Sequence, residues 1–456
     1  MLGRQLYRIF RLVYRVGRLS KDRFTPAGTL LLGGAIAAGI FGVDTRQSLA
    51  FQVFSIGTSL ILVGMLCAFS FRAKLSVRRR LPDFATVGVA VNYKLLVGNL
   101  GTRAQRDLLL VDELESTIPE FEEFRFGTDP LDRRRNWFDR KLGYPRLMSL
   151  ITKKRGGTVP PLALHDLPPG HELELSARLF PARRGHLHFH RTRIARPDPL
   201  GLYRAINNYA NAGSLLVLPK RYRMPAVSMK GTRKYQKGGL SLAGSVGDSR
   251  EFISLRDYRP GDPLRSIHWR SYAKRGYPVV KEFHDEFYVR QGLLLDTFAE
   301  AGAGEKFEEA VSIAASLTVS LNTQDSLLDL MFVGAQAYRF TSGRGLGKTE
   351  NMLEILACVS PSSGQPFTSL ETMLSRYLPD VSGMICVLLH WDDGRRGLLE
   401  YIRARHIPVL VFLIGDAGME MPDISSLEMD SNCFVLLQPG RIQEGLDAAR
   451  LPGEIS

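Results

Sequence analysis

The sequence is poor in the residues that build disulfides and metal centres. Its four cysteines, Cys67, Cys358, Cys386 and Cys433, are scattered over 456 residues and form no Cys-x-x-Cys pair. That excludes a disulfide framework and a cysteine zinc site, and it reads as buried free thiols in a reducing compartment. The nine histidines show no His-Glu-x-x-His spacing, and no Gly-x-Ser-x-Gly elbow occurs. Acidic residues are almost missing from the start of the chain. Residues 1–80 hold 13 Lys and Arg against Asp22 and Asp44, so they carry +11 of the formal +14. The excess charge belongs to one end, not to a folded basic module, which argues against a nucleic-acid partner.

That basic end contains two long apolar runs, Pro26–Val43 and Leu49–Phe71. Each approaches the roughly 20 residues that a helix needs to cross hydrocarbon. Gly34 with Ala38 and Ala35 with Gly39 allow close helix–helix approach in lipid. Asp44–Ser48 leaves room only for a tight turn, so the pair reads as a transmembrane hairpin. Arg and Lys crowd both outer flanks, which places both termini in the cytoplasm of an inner (plasma) membrane protein. Before the hairpin, Leu6, Phe10, Val13 and the arginines recur at helical spacing, giving a basic amphipathic helix suited to anionic lipid.

Residues 73–220 read as an antiparallel β-sandwich-like domain. Its strand signals are Val87–Val91, Glu172–Ala177, His186–His190 and Ser214–Leu218. Residues 120–157 break the rhythm with a basic insertion around Trp137 and Phe138, expected to be solvated. His186, His188 and His190 share one strand face, but neighbours there stand about 6–7 Å apart, so a polar face is favoured over a metal site. Residues 221–288 read as a linker rich in Gly, Ser and Lys, followed by a dense motif. Residues 289–456 alternate apolar strands with helices, the pattern of a doubly wound α/β domain.

The dense motif supplies Arg256, Tyr258, Pro260, Gly261, Asp262, Arg265, Ile267 and Trp269, then Ala273, Lys274, Val280 and Phe283. Arginines among carboxylates read first as an internal ion-pair network, serving as either a brace or a docking surface. Residues 250–285 resemble the signature of the domain of unknown function 58 family, R-x-Y-x-P-G-D-x-x-R-x-I-D-W-x-x-x-A-R followed by V-x-x-[FY]. The chain departs at His268, where the family has Asp, and at Lys274. Arg183-Arg184-Gly185 and Asp198–Tyr203 resemble two further family features. The resemblance implies a membrane anchor and a von Willebrand factor A-like C-terminal domain. It also implies a non-enzymatic adaptor role beside a MoxR-type AAA+ ATPase and a transglutaminase-like membrane protein.

Domains of that fold often bind a divalent cation through D-x-S-x-S after the first strand. Here Asp296 is in place, but Phe298 and Glu300 replace the serines, so the site is a degenerate candidate to which Asp392 or Asp393 would add a carboxylate. Gly343–Thr349 resembles a phosphate loop around Lys348 but has Ser342 where the first glycine belongs. A metal- or nucleotide-dependent membrane-associated enzyme is therefore the alternative. The expectation is no catalytic residue, no cofactor, and as partners a lipid bilayer and proteins.

Overall fold

The computed structural model describes residues 2–41, 49–69, 71, 73–126, 136, 137, 139, 143–225, 227, 252–260, 262, 264, 267–283, 289–299, 304–321, 326–343, 349–362, 364–416, 418–427 and 429–451. The chain divides into two compact units. One is Met1–Arg221 with Glu300–Ala315 and Leu353–Val359; the other is Tyr222–Ala299 with Ser316–Met352 and Ser360–Ser456.

The first unit opens with three helices, α1 (Leu2–Arg23), α2 (Pro26–Phe41) and α3 (Leu49–Phe69). Among the described residues only α3 is long and apolar enough to cross a membrane. Among the described residues the first apolar run contributes 16 helical residues, about 24 Å at 1.5 Å per residue against roughly 30 Å of hydrocarbon. α2 nevertheless lies along α3. A side chain on Gly57 would sit 3.2 Å from the Ala35 Cβ, and one on Gly39 would meet the Phe54 ring at 3.0 Å. The turn Asp44–Ser48 lies outside the described residues.

Two sheets follow. One carries β1 (Leu75–Arg80), β3 (Val91–Asn99), β5 (Gly157–Thr158) and β7 (Glu172–Pro181), in the order β1-β3-β7-β5. The other contains β2 (Phe84–Thr86), β4 (Gln105–Leu114), β6 (Leu162–Leu167), β8 (Gly185–Pro197) and β9 (Arg204–Leu218), in the order β2-β9-β8-β4-β6. All pairs are antiparallel except β2 with β9. Tyr93, Leu95, Ala177 and Leu179 from the first sheet share a buried cluster with Leu187, Phe189, Leu215 and Val217 from the second. Period-two alternation selects those inward residues. The predicted strand Val87–Val91 is a turn, with Gly88 at φ 78°, and the strand begins only at Val91.

Arg79 does not remain in the basic flank where the sequence places it. Its guanidinium is buried and bonds Asp112, through Nε at 2.8 Å and also through Nη2. Tyr93 and Thr192 donate to the same carboxylate at 2.7 and 2.8 Å. Burial and the Asp112 charge push the Tyr93 hydroxyl well above its ordinary pKa, so it stays a donor. Arg79 and Tyr93 come from one sheet, Asp112 and Thr192 from the other, so a fully paired charge ties the sheets together.

The basic insertion is partly helical. α4 (Phe121–Phe126) and α5 (Tyr144–Arg155) pack Phe121, Phe124, Leu147 and Ile151 against Tyr7, Phe10 and Tyr14 of α1. Arg133–Arg135 and Phe138 lie outside the described residues.

In the second unit, β10 (Phe252–Asp257) pairs antiparallel with β11 (Val279–Phe283), and the short helix α6 (Trp269–Arg275) lies between them in sequence. The signature segment is thus a folded ribbon; most of the expected linker, residues 228–250, lies outside the described residues. A six-stranded sheet follows, in the order β14-β13-β12-β15-β16-β17. Its strands are β12 (Val289–Leu295), β13 (Ser326–Val333), β14 (Ala337–Ser342), β15 (Gly383–Leu388), β16 (Val409–Ile414) and β17 (Phe434–Leu437). Every neighbouring pair is parallel except β13 with β14. In chain order, helices α7 (Gly304–Leu321), α8 (Thr349–Cys358), α9 (Thr368–Tyr377), α10 (Asp393–Arg403) and α11 (Ile442–Ala448) alternate with the strands, most of α7 and the end of α8 belonging to the first unit. Met384, Cys386, Val411 and Leu413 pack with Leu370 and Leu374 of α9 and Leu398 and Ile402 of α10. The alternate residues Ile385, Val387, Leu410 and Phe412 are equally buried, as parallel strands covered on both faces require.

The four cysteines are free, but only Cys386 is fully buried; Cys67 and Cys358 are exposed. Burial pushes the Cys386 thiol far above its usual pKa, so it is inert.

Candidate functional site

An ion pair between Arg256 and Asp262 braces the signature segment. Arg256 Nη1 and Nη2 grip both oxygens of Asp262 at 2.7 and 2.8 Å, and the Arg259 backbone N–H donates to the same carboxylate at 2.9 Å. Arg256 and the Arg259 N–H hold Asp262 down at about 2. Tyr258 continues the ribbon through its N–H to the Pro278 carbonyl at 3.0 Å. Ile267 is buried and bridges to Val280. Pro260 is exposed in the turn, whereas Gly261 and Arg265 lie outside the described residues.

His268 stands before α6, where the family signature has Asp. Its backbone N–H bonds Val279 O at 2.8 Å, and its ring Nδ1 lies 2.6 Å from Ser271 Oγ. The ring makes no capping bond to a helix N–H, so the departure costs α6 a favourable N-cap. Trp269 points outward at 62 % exposure with Tyr272 edge-on at 6.0 Å, and Tyr277 and Leu264 are exposed nearby in sequence. The segment therefore combines an internal brace, Arg256–Asp262, with an outward aromatic face.

At the other candidate, the strand order of the large sheet reverses between β12 and β15, where ligands of open parallel sheets commonly bind. Asp296 follows β12 there and is completely buried. Its Oδ1 accepts from Phe298 N at 3.0 Å, and its Oδ2 accepts from Leu389 N at 3.1 Å and Arg395 Nε at 2.7 Å. Arg395 also donates to Phe298 O at 3.2 Å and pairs with Asp392. Burial opposes the guanidinium charge, but Asp296 and Asp392 outweigh it and hold Arg395 above the ordinary arginine value. A divalent ion would need the oxygens that Arg395 already holds, so these residues do not fit a metal. Asp392 instead caps α10, accepting from Arg395 N at 2.8 Å. Glu300 and Lys348 lie outside the described residues. His186 and His188 are exposed with rings stacked at 6.2 Å, a polar strand face.

Two positions that sequence reasoning noted only as resemblances have structural work. Inside the first unit, Arg184 is buried and donates to Leu356 O at 3.2 Å and Val359 O at 2.5 Å, satisfying carbonyls at the end of α8. The Asp198–Tyr203 turn grips the helices. Asp198 Oδ1 accepts from Leu202 N and Tyr203 N at 2.7 and 2.9 Å, and Thr25 donates to Gly201 O at 2.6 Å. Phe24 bridges to Tyr203. Gly28 and Gly64 admit the turn: a Cβ on Gly28 would lie 1.9 Å from Leu202 O, and one on Gly64 would lie 2.6 Å from Asp198 Oδ2.

Comparison with known proteins agrees with the motif. The model of the family described as Protein of unknown function DUF58 matches residues 254–432, from the ribbon through most of the large sheet. The uncharacterized protein YeaD of Bacillus subtilis (strain 168) is 27 % identical over 198 residues, 43 % of this chain and 48 % of that protein. The chain thus spans about half the length of this curated relative. Among solved structures, the CARDB domain of PF1109 from Pyrococcus furiosus is 14 % identical, covering 32 % of this chain and 89 % of its own, with a TM-score of 0.18. The PapD-like domain of human CEP192 is 14 % identical over 32 % of this chain and 87 % of its own, at a TM-score of 0.17.

Proposed function

We propose that the chain is a membrane-anchored adaptor that faces the cytoplasm and works without catalysis of its own beside a MoxR-type AAA+ ATPase. A transglutaminase-like membrane protein would be a further member of the assembly. The observation that carries this reading is the outward aromatic face of Trp269 and Tyr272, mounted on a segment that Arg256–Asp262 holds in shape. Exposed aromatic rings on a braced scaffold are what a protein interface uses as anchors. The strand order of the large sheet, with one antiparallel edge, supports a doubly wound, von Willebrand factor A-like domain. In it Arg395 takes the place a cation would hold, which disfavours a metal-dependent reaction. α2 packed along α3 supports an inner-membrane helical hairpin with both ends cytoplasmic; α2 would need interfacial residues or local thinning to span.

The test is affinity capture of the tagged chain from gently solubilised membranes, comparing wild type with Trp269→Ala and Asp262→Ala. Recovery of an AAA+ ATPase by wild type and its loss with Trp269→Ala supports the adaptor and places its contact on the aromatic face. Equal recovery by all three chains makes the segment a brace only. Absence of any ATPase from the wild-type capture sinks the adaptor reading.

A further inference from the structure

The sequence marks α1 as a basic amphipathic helix, and the structure shows which of its faces is left free. At about 100° per residue the helix divides into three sectors. Tyr7, Phe10 and Tyr14 form an aromatic sector, 6–8 % exposed, covered by α4 and α5. Tyr7 also donates to Pro119 O at 2.5 Å. The end of the helix is tied down as well, by Arg18 to Glu113 at 2.5 Å and Asp22 to Arg193 at 2.5 Å. α1 is therefore a fixed part of the first unit, not a loose tail. Arg4, Arg8, Arg11 and Arg15 occupy a second sector about 60° wide. Arg8, Arg11 and Arg15 make no ion pair among the described residues.

The third sector, about 120° wide, is aliphatic and bare. Ile9, Leu12, Val13, Val16 and Leu19 are 54, 62, 48, 55 and 62 % exposed. Five large aliphatic side chains on one arc exceed the scattered apolar residues normal on a water-facing surface. The bare sector borders the arginines, with Arg8 and Arg15 beside Leu12 and Leu19, an arrangement that lets apolar side chains enter the acyl boundary while guanidiniums reach phosphates. It is also continuous with the anchor. Only Phe24 and Thr25 separate α1 from α2, whose Leu30, Ile36 and Ile40 are 77, 55 and 66 % exposed.

We propose that α1 lies in the headgroup layer of an anionic phospholipid bilayer, aliphatic sector toward lipid. Because its aromatic sector is welded to α4 and α5, this contact sets the orientation of the sheet-bearing unit on the membrane. The proposal rests on the membrane anchoring read above, and the experiment separates the two. The full chain is placed in nanodiscs of phosphatidylcholine, with or without phosphatidylglycerol, carrying brominated lipid. A fluorescent non-natural residue stands at Val16 in the aliphatic sector, at Arg11 in the basic sector, or at Leu62 of α3.

In anionic discs the label at 16 should be quenched at least 2-fold more than the label at 11, and neutral discs or Leu12→Glu should reduce that difference. Leu12→Glu leaves Tyr7, Phe10 and Tyr14 in place, so folding is preserved; Leu12→Ser is a second variant that adds no charge. Quenching at 62 but not at 16 overturns the proposal and leaves the anchor standing. Quenching at neither position overturns the anchor as well. Loss of accessibility at 16 without lipid quenching, together with cross-linking to a second copy, would make the face a self-interface and overturn lipid binding. Quenching at 16 equal in neutral and anionic discs overturns the requirement for anionic lipid.

Discussion

Arg395 supplies a permanent positive counter-charge to the buried Asp296. It is three residues past Asp392 on the first turn of α10, so one guanidinium reaches both Asp392 and the buried Asp296. Arg395→Ala leaves Asp296 a buried carboxylate without its counter-charge, a change expected to cost about 3–5 kcal/mol. Denaturant unfolding of the detergent-solubilised chain measures it, and adding Asp296→Asn should recover most of the loss. If the double variant is no more stable than the single, the two groups are not coupled. Asp296 was legible in the sequence because a carboxylate at the end of a first apolar strand is a recognisable position. Its partner was not, because Arg395 is 99 residues away and only the parallel pairing of β12 with β15 brings it in. Asp392 carries a charge that suggests a ligand, but its role is a helix cap. Asp262 makes a second residue-scale prediction. Arg256 and the Arg259 N–H hold it at about 2, down from 3.8. A folded-state value below the unfolded one means that its contribution is fully present above about pH 4 and is lost as pH falls through about 2. Carboxyl-carbon NMR should find that titration near 2 in wild type and close to the ordinary value in Arg256→Ala; an unchanged midpoint would separate the two residues.

At the level of elements, the two-residue alternation of β7, β8 and β9 and the apolar runs of the large sheet could be read before any coordinates, since burial on one face or both writes directly into the pattern. α5 could have been read too. Pro145 opens it, Leu147 and Ile151 are spaced by four, and Gly156 closes it in the left-handed region at φ 73°. Its terminal lysines and arginine mask that signal, because a basic run reads as a solvated face. The pairing of α5 with α1 had no local signal, because Tyr7, Phe10 and Tyr14 fit lipid or protein equally well. The Asp198–Tyr203 turn is the other element-scale device, a polar hook set against the start of α2 and the middle of α3. Gly28→Ala puts a methyl 1.9 Å from Leu202 O, and because backbone must move to relieve it, a loss of roughly 1–3 kcal/mol is expected. Thermal unfolding in detergent measures the loss, and limited proteolysis should show earlier cutting within 198–203. Wild-type behaviour in both assays would mean that α2 and the turn do not depend on one another.

For the whole molecule, the uneven charge and the apolar helices make one claim about sidedness, and the cysteines are already placed to test it. Cys67 is in α3, exposed on a helix apolar enough to span, while Cys358 is exposed at the end of α8. Cys386 is sealed in the sheet, and burial with the neighbouring Asp430 charge raises the Cys433 thiol, slowing it. A membrane-impermeant maleimide, read residue by residue by peptide mass spectrometry, therefore has two informative targets. In sealed cells neither should react. After lysis Cys358 should be modified within minutes, Cys67 should remain protected by lipid, and detergent should then open Cys67. Labelling of Cys358 in sealed cells would reverse the orientation that the arginine-rich flanks imply. Labelling of Cys67 in intact bilayers would take α3 out of the membrane, and with it the reason for a helix as basic and as apolar as α1 to lie where it does.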